Sequence, residues 1–114
     1  MTVAQLRAAM AQFVAERDWD KFHSPKNLSM GLSVEAAELM EHFLWIDNAE
    51  SRTVGQDPVR RQEVADEMAD IACYLLALAN TLQIDLSDSI ANKLVKNARK
   101  YPIEQYRGRF KPED

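Results

Sequence analysis

The sequence is poor in the residues that interrupt helices, and it has almost no cysteine. Its 114 residues include three Gly, four Pro and one Cys. So few helix breakers favour long helical segments. The single cysteine, Cys73, excludes an internal disulfide and is typical of a reducing compartment. Its simplest role is that of a small apolar side chain in the core.

Long apolar runs are also missing. No run approaches the roughly 18 apolar residues of a membrane span, and the N-terminal MTVAQLRAAM lacks the apolar core and cleavage site of a signal peptide. We therefore expect a cytoplasmic protein with no membrane partner. The net charge is only −4, which argues against a nucleic-acid backbone as the main partner.

Apolar residues recur at helical spacing in four segments, and no stretch alternates with the period of a strand. The predicted helices cover residues 3–17, 26–46, 58–82 and 86–101, with N-caps at Thr2, Asp57 and Asp85. The predicted fold is therefore all-α, a four-helix bundle. The length fits one domain, placed at residues 1–102, followed by a flexible tail at 103–114. Because the second helix is apolar on more than one side, we expect oligomerisation to complete the core.

Two of these helices carry a pair of acids, three residues apart, beside the apolar face. The pairs are Glu35 with Glu38 and Glu67 with Asp70. Carboxylates brought close together repel one another unless a cation lies among them, and these faces offer no matching set of basic residues. Oxygen ligands select a hard divalent cation. The sequence therefore predicts a site for Mg²⁺, with Mn²⁺ as a substitute. The alternative is a set of solvated helix acids.

Other metal and phosphate sites do not fit the sequence. A di-iron carboxylate bundle needs Glu-x-x-His, but Leu39 stands three residues before His42. His23 and His42 are too far apart for the two histidines of a zinc protease, and the glycines are isolated, so no phosphate-binding loop is present. Any phosphate chemistry would therefore depend on the predicted metal.

Asn97 lies on the apolar stripe of the fourth helix, with Lys93 on its flank. An amide that faces the core needs hydrogen-bond partners, which either a nucleobase edge or a helix end can provide. A flanking lysine can meet phosphate groups. A ligand contact and a structural amide both remain open for Asn97.

With these residues assembled, the chain resembles the MazG-like all-α nucleoside triphosphate pyrophosphohydrolases. The resemblance rests on EAAE at 35–38 and EMAD at 67–70, in that order and about thirty residues apart. Further motifs make the chain similar to the dCTP pyrophosphatase branch of these enzymes. They are RDWDKFHSPKNL at 17–28, LMEHFLW at 39–45, ADIACYLLALA at 69–79 and KNARKYP at 96–102.

The resemblance implies that the four acids hold Mg²⁺ and that subunits pair, as a dimer or a dimer of dimers. It implies hydrolysis of a nucleoside triphosphate to the monophosphate and diphosphate, with Glu35 or Glu38 taking a proton from water. The expected substrate is dCTP or a modified nucleotide, in a house-cleaning role. The implied substrate contacts are Trp19, His23, Trp45, Tyr74, Lys93, Asn97 and Tyr101.

Two other interpretations are retained. One is a related pyrophosphohydrolase with another base preference, for dUTP or phosphoribosyl-ATP. The other is a non-catalytic helical module that oligomerises and carries its acids on the surface. Release of diphosphate from a triphosphate would distinguish an enzyme from such a module.

Overall fold

A computed structural model of the protein describes residues 1–110, which form helices and turns with no strand among them. The all-α prediction is confirmed. The helices are α1 (Val3–Glu16), α2 (Pro25–Glu41), α3 (Asn48–Ser51), α4 (Pro58–Leu82), α5 (Leu86–Lys100) and α6 (Ile103–Tyr106). Two 3-10 turns, Asp20–Phe22 and Val54–Gln56, lie between them. Of the tail predicted at 103–114, the first four residues form α6, and residues 111–114 lie outside the described residues.

The N-terminal ends of three helices are capped as predicted. Thr2 Oγ1 accepts from Gln5 N at 3.1 Å, while Thr2 N donates to Gln5 Oε1 at 2.7 Å, which completes a capping box. Asp57 Oδ1 accepts from the N–H of Val59 at 3.0 Å. Asp85 caps α5 in the same way. These bonds satisfy N–H groups that the first turn of a helix leaves without a partner.

The second helix ends earlier than predicted, at Glu41 rather than Ile46. Beyond Glu41, the N–H groups of His42 and Phe43 donate to carbonyls three residues earlier, at 3.2 and 3.0 Å. Such tightening is common where an α-helix ends. The prediction was wrong because no glycine or proline marks the stop in the sequence. As a consequence Trp45 leaves the helix, and it is 90% exposed.

The chain forms two compact units, divided after Gln83. In the first unit, α2 and α4 run antiparallel, because Gly31 lies against Tyr74 while Glu35, one turn later, lies near Glu67. Helix α1 also packs on α4. The second unit begins at Ile84 and contains α5 and α6. No single helix in residues 1–110 is both long and apolar enough to cross a membrane.

The core of the first unit is small. Its buried apolar side chains are Val14, Leu28, Val54, Ala77 and Ala79. Val54 lies between the second and third predicted helices, and it is buried in the 3-10 turn at 54–56. Cys73 is exposed, so its predicted place in the core is wrong. The reason is that, within residues 1–83, the neighbours of α4 cover only part of its circumference.

Candidate active site

Three of the four predicted acids meet between α2 and α4. One carboxylate oxygen from each of Glu35, Glu38 and Glu67 lies within 4.8 Å of the others. Glu35 and Glu38 share one side of α2 because residues three apart on a helix are neighbours. The antiparallel α4 brings Glu67 to them. Carboxylate oxygens at this spacing are the donors that a hard divalent cation takes.

Two oxygens in this cluster are buried without a hydrogen bond. They are Glu35 Oε2 and Glu67 Oε2, and no donor within the described residues reaches them. A buried carboxylate oxygen without a donor is costly in free energy. Glu38 is exposed, so solvent and a ligand can reach the cluster from its side. The three carboxylates could therefore hold a cation while one face of the cluster stays open.

The same surroundings raise the pKa of Glu35 to about 7, from an ordinary 4.5. Burial is the largest cause. Hydrogen bonds from the protonated group to Glu38 and Glu67 add to it, and repulsion by Glu38 and Asp70 raises the pKa further. Asp70 therefore influences Glu35 electrostatically, although its oxygen is not within the group of three. A bound cation would oppose every one of these effects, because it favours the ionised carboxylate.

His42 borders the acidic cluster, a position for which the sequence suggested no role. Its Nε2 lies 3.9 Å from Glu67 Oε1, and its Nδ1 lies 3.9 Å from Glu63 Oε2. These distances exceed a hydrogen bond, so the interaction is one of charge when the imidazole is protonated. The available signal was the spacing of four residues between Glu38 and His42.

A cavity of about 320 Å³ lies between α1, the turn at 20–22 and the C-terminal half of α4. This volume is at the lower end of the roughly 300–1,000 Å³ of small-molecule sites. His23 lines the cavity, and its Nδ1 is buried with no hydrogen-bond partner among the described residues. The other lining residues are Ala11, Val14, Ala15, Asp20, Ala77, Asn80 and Thr81. Small side chains on both helices leave this space open.

Trp19 stands beside His23 in a chain of aromatic contacts. The Trp19 ring centroid is 6.2 Å from that of His23, and it meets Phe13 edge-on at 5.7 Å. The guanidinium of Arg17 lies 3.7 Å from the Phe13 ring centroid. Trp19 N also donates to Val14 O at 3.1 Å, which fixes the backbone at this point. Trp19 is 40% exposed, so part of its ring remains available to a ligand.

Asp70 and two residues that line the cavity lie along one face of α4. Asp70, Tyr74, Ala77 and Thr81 follow the spacing i, i+4, i+7 and i+11, which places them in a row. At a rise of about 1.5 Å per residue, Asp70 and Ala77 are about 10 Å apart along the axis. Tyr74 lies between them. The row therefore leads from Asp70, which acts electrostatically on Glu35, through Tyr74 to the cavity.

Four predicted contacts remain, one in the first unit and three in the second. Trp45 follows the end of α2 and does not line the cavity. On α5, Lys93 is exposed and Asn97 is half-buried. Tyr101 follows α5 and packs edge-on against Tyr106, with ring centroids 5.1 Å apart. These three residues belong to the second unit. Their roles in binding a nucleotide stay predictions.

A second cavity, about 420 Å³ in volume, lies between α4 and the segment that contains α3. Although it is larger, its lining is mostly apolar and contains no acid and no histidine. Its one charged side chain, Arg61, donates to Gly55 O at 3.3 Å. The described groups that could take part in metal or acid–base chemistry therefore lie at the acidic cluster and beside His23.

The chain is similar to known proteins over most of its length. The MazG-like family matches residues 31–111. The chain is 37% identical to dCTP pyrophosphatase 1 of Rattus norvegicus, over 94% of this chain and 63% of that protein. It is 39% identical to dCTP pyrophosphatase 1 of Homo sapiens, over 89% of this chain and 59% of that protein. The chain thus spans less than two thirds of the length of these relatives.

A solved structure is similar as well. The crystal structure of a pyrophosphatase from Archaeoglobus fulgidus superimposes with a TM-score of 0.80 at 38% sequence identity. The match covers 87% of this chain and 91% of the other.

Proposed function

The chain belongs to the MazG-like family, and we propose that it is a metal-dependent pyrophosphohydrolase that converts dCTP and water to dCMP and diphosphate. The observation that carries the proposal is the meeting of Glu35, Glu38 and Glu67 within 4.8 Å. The relatives named dCTP pyrophosphatase 1 support the choice of substrate. Modified deoxynucleotides of similar shape are further candidates, in keeping with a house-cleaning role.

The proposed metal is Mg²⁺, with Mn²⁺ as a substitute. The donor set fits a hard cation, because it consists of carboxylates and includes two buried oxygens that no described donor reaches. Glu35, Glu38 and Glu67 would hold it, with Asp70 as a fourth ligand. A bound divalent cation neutralises phosphate oxygens and lowers the pKa of a coordinated water.

One carboxylate of the cluster would also accept the proton of the attacking water. Glu35 and Glu38 are the two candidates. Glu38 is on the exposed side of the cluster, where a substrate would enter. Glu35 is half-buried, and its pKa is raised to about 7. If a residue acts only as the base, its change to glutamine should abolish turnover while the protein still binds metal. If the residue is a metal ligand, the same change should abolish both turnover and metal binding.

We place the nucleoside in the cavity beside His23, with the phosphates toward the acids. The row along α4 supports this orientation, since about 10 Å separates Asp70 from Ala77 along the axis, and Tyr74 between them would contact the sugar. The exposed part of Trp19 offers a surface for base stacking. The unpaired Nδ1 of a neutral His23 can accept a hydrogen bond from an exocyclic amine, such as that of cytosine.

We also propose that the protein is a homo-oligomer, a dimer or a dimer of dimers. Helix α2 carries apolar side chains that are half exposed or more, at Met30, Val34 and Met40. A second copy that covered them would complete the small core. Trp45, Lys93, Asn97 and Tyr101 remain proposed nucleotide contacts. The unpaired Cys73 suits a reducing compartment, so we place the protein in the cytoplasm.

A panel of triphosphates tests the function directly. The protein is incubated with each compound, in Mg²⁺ or in a chelator, and the products are separated. The compounds are dCTP, dUTP, dTTP, dATP and phosphoribosyl-ATP. We expect dCMP and diphosphate from dCTP, and only in Mg²⁺. A preference for dUTP or phosphoribosyl-ATP would identify the related enzyme instead. If none of these compounds releases diphosphate, the result favours the non-catalytic helical module.

A further inference from the structure

Arg7 and Asn80 join α1 to α4 by two reciprocal hydrogen bonds. Arg7 Nε donates to Asn80 Oδ1 at 3.0 Å, and Asn80 Nδ2 donates to the backbone carbonyl of Arg7 at 3.0 Å. The two residues are 73 positions apart, and both are partly buried. The pair therefore closes a long loop of the chain at one point of contact between the two helices.

This pair stands at the edge of the cavity beside His23. Asn80 lines the cavity itself, and Ala11, one turn after Arg7, lines it from α1. Three of the eight lining residues are alanines, two on α1 (residues 11 and 15) and one on α4 (residue 77). An alanine has no rotatable side chain that could move aside for a larger ligand. Where alanines form the walls, the width of the cavity therefore depends on the separation of α1 from α4.

We propose that the Arg7–Asn80 pair positions α1 on α4 and thereby determines which bases the nucleoside cavity admits. Asn80 is then a positioning residue for specificity, acting through helix separation. Two of the four hydrogen-bonding positions of its amide are committed to Arg7. The inference rests on the proposed function, because it takes the cavity to be the nucleoside site.

Two substitutions at Asn80 test the pair. Asn80→Leu keeps the approximate size and removes both hydrogen bonds, whereas Asn80→Asp keeps the acceptor for Arg7 Nε. For each protein in Mg²⁺, kcat and KM are measured with dCTP and dATP, and the affinities for dCMP and dAMP are measured by calorimetry. We expect Asn80→Leu to reduce the preference for dCTP over dATP by about tenfold, which is the discrimination available from one methylene of pocket space. The change should appear in KM, and Asn80→Asp should restore most of the preference.

Two control variants separate positioning from stability. Leu28→Val weakens the core at a buried residue that does not line the cavity. Gln62→Ala removes an exposed amide from α4, where Gln62 Nε2 donates to Asp66 Oδ1 at 2.8 Å. Both controls should keep the base preference of the unchanged protein, whatever their melting temperatures.

The outcomes distinguish this inference from the proposed function. If the unchanged protein prefers dCTP and Asn80→Leu shows the same preference with only a lower melting temperature, the pair is structural and the inference is overturned while the function stands. If Leu28→Val loses the preference equally, the effect is one of stability and the inference is again overturned. If no triphosphate is hydrolysed, the function fails. The inference then survives only if a preference for dCMP over dAMP is present and Asn80→Leu abolishes it.

Discussion

The ring of Tyr74 packs directly on the backbone of Gly31. A Cβ added to Gly31 would lie 2.5 Å from Tyr74 Cε1 and 2.7 Å from Tyr74 Cζ. Helices α2 and α4 can approach this closely because residue 31 has no side chain. One turn along α2 from this contact, Glu35 meets Glu67. The convergence of the acids therefore depends on the close approach at Gly31.

We expect Gly31→Ala to disturb the site even though alanine is the better helix former. The substitution gains up to about 1 kcal/mol in helix propensity, but overpacking against Tyr74 costs about 1–3 kcal/mol. Affinity for Mn²⁺, measured by calorimetry, should fall together with turnover. Ser33→Ala, an exposed change on the same helix, is the control. Unchanged metal affinity in Gly31→Ala would show that the helix contact does not position the acids.

The metal ligands are tested by removing them one at a time. We expect Glu38→Ala and Asp70→Ala to lower turnover by orders of magnitude, because the metal would no longer be held in position. Without metal, both variants should melt at a higher temperature, since one source of repulsion is gone. Glu41→Ala is the control, because Glu41 is exposed and lies outside the cluster. Retention of more than about a tenth of the activity in the ligand variants would contradict the metal assignment.

The stability of the metal-free protein should depend on pH through Glu35. Its pKa is about 7 in the folded protein and 4.5 ordinarily. Between these values the folded state retains a proton that the unfolded state has lost. The free energy of unfolding therefore falls as the pH rises from about 4.5 to about 7, and it should not change further above that range on account of Glu35.

Melting temperatures in a chelator, compared with those in saturating Mg²⁺, measure this effect. Because the metal binds ionised carboxylates, its stabilising effect should be larger above about pH 7 than near pH 5. Glu35→Gln cannot titrate at this position, so its melting temperature in chelator should decline less over the same range. A decline equal to that of the unchanged protein would contradict the assignment to Glu35.

The sequence predicted those parts of the fold that depend on local signals. Helix α4 begins at Pro58 because Asp57 caps it, and the acids meet because each pair has helical spacing beside an apolar face. The end of α2 at Glu41 was missed because no local residue marks it. The cavity and the Arg7–Asn80 pair were missed for another reason. Alanine residues in a sequence do not indicate whether a cavity lies beside them. Hydrogen bonds between two residues 73 positions apart leave no local sequence pattern.

The two tryptophans should respond differently to removal. Trp19 contacts Phe13 and His23, so Trp19→Ala should weaken dCTP binding by about 1–3 kcal/mol if the base stacks on it. Trp45 is 90% exposed. Trp45→Ala should therefore change the free energy of unfolding of the chain by no more than about 0.5 kcal/mol, and it should raise KM if Trp45 is a nucleotide contact. For each variant, steady-state kinetics with dCTP gives KM, and thermal melting gives the stability. If Trp19→Ala is unfolded and no other substitution at this position gives a folded protein, Trp19 is a structural residue of the core.

Base recognition has two polar candidates, His23 in the first unit and Asn97 on α5. If the Asn97 amide reads cytosine, Asn97→Ala should flatten the preference among bases, because discrimination by a polar group disappears with that group. Asn97→Asp keeps the size but removes the donor and adds a negative charge, so activity on dCTP should fall steeply.

A double-mutant cycle with His23→Ala then separates the two candidates. If both side chains bind the same base, the effects of His23→Ala and Asn97→Ala on kcat/KM for dCTP should be non-additive, since residues that share a partner are coupled by about 0.5–3 kcal/mol. Additive effects, together with an unchanged base preference in Asn97→Ala and a lower melting temperature, would make Asn97 a structural amide. Discrimination would then come from His23 and from the width of the cavity, which Asn80 controls.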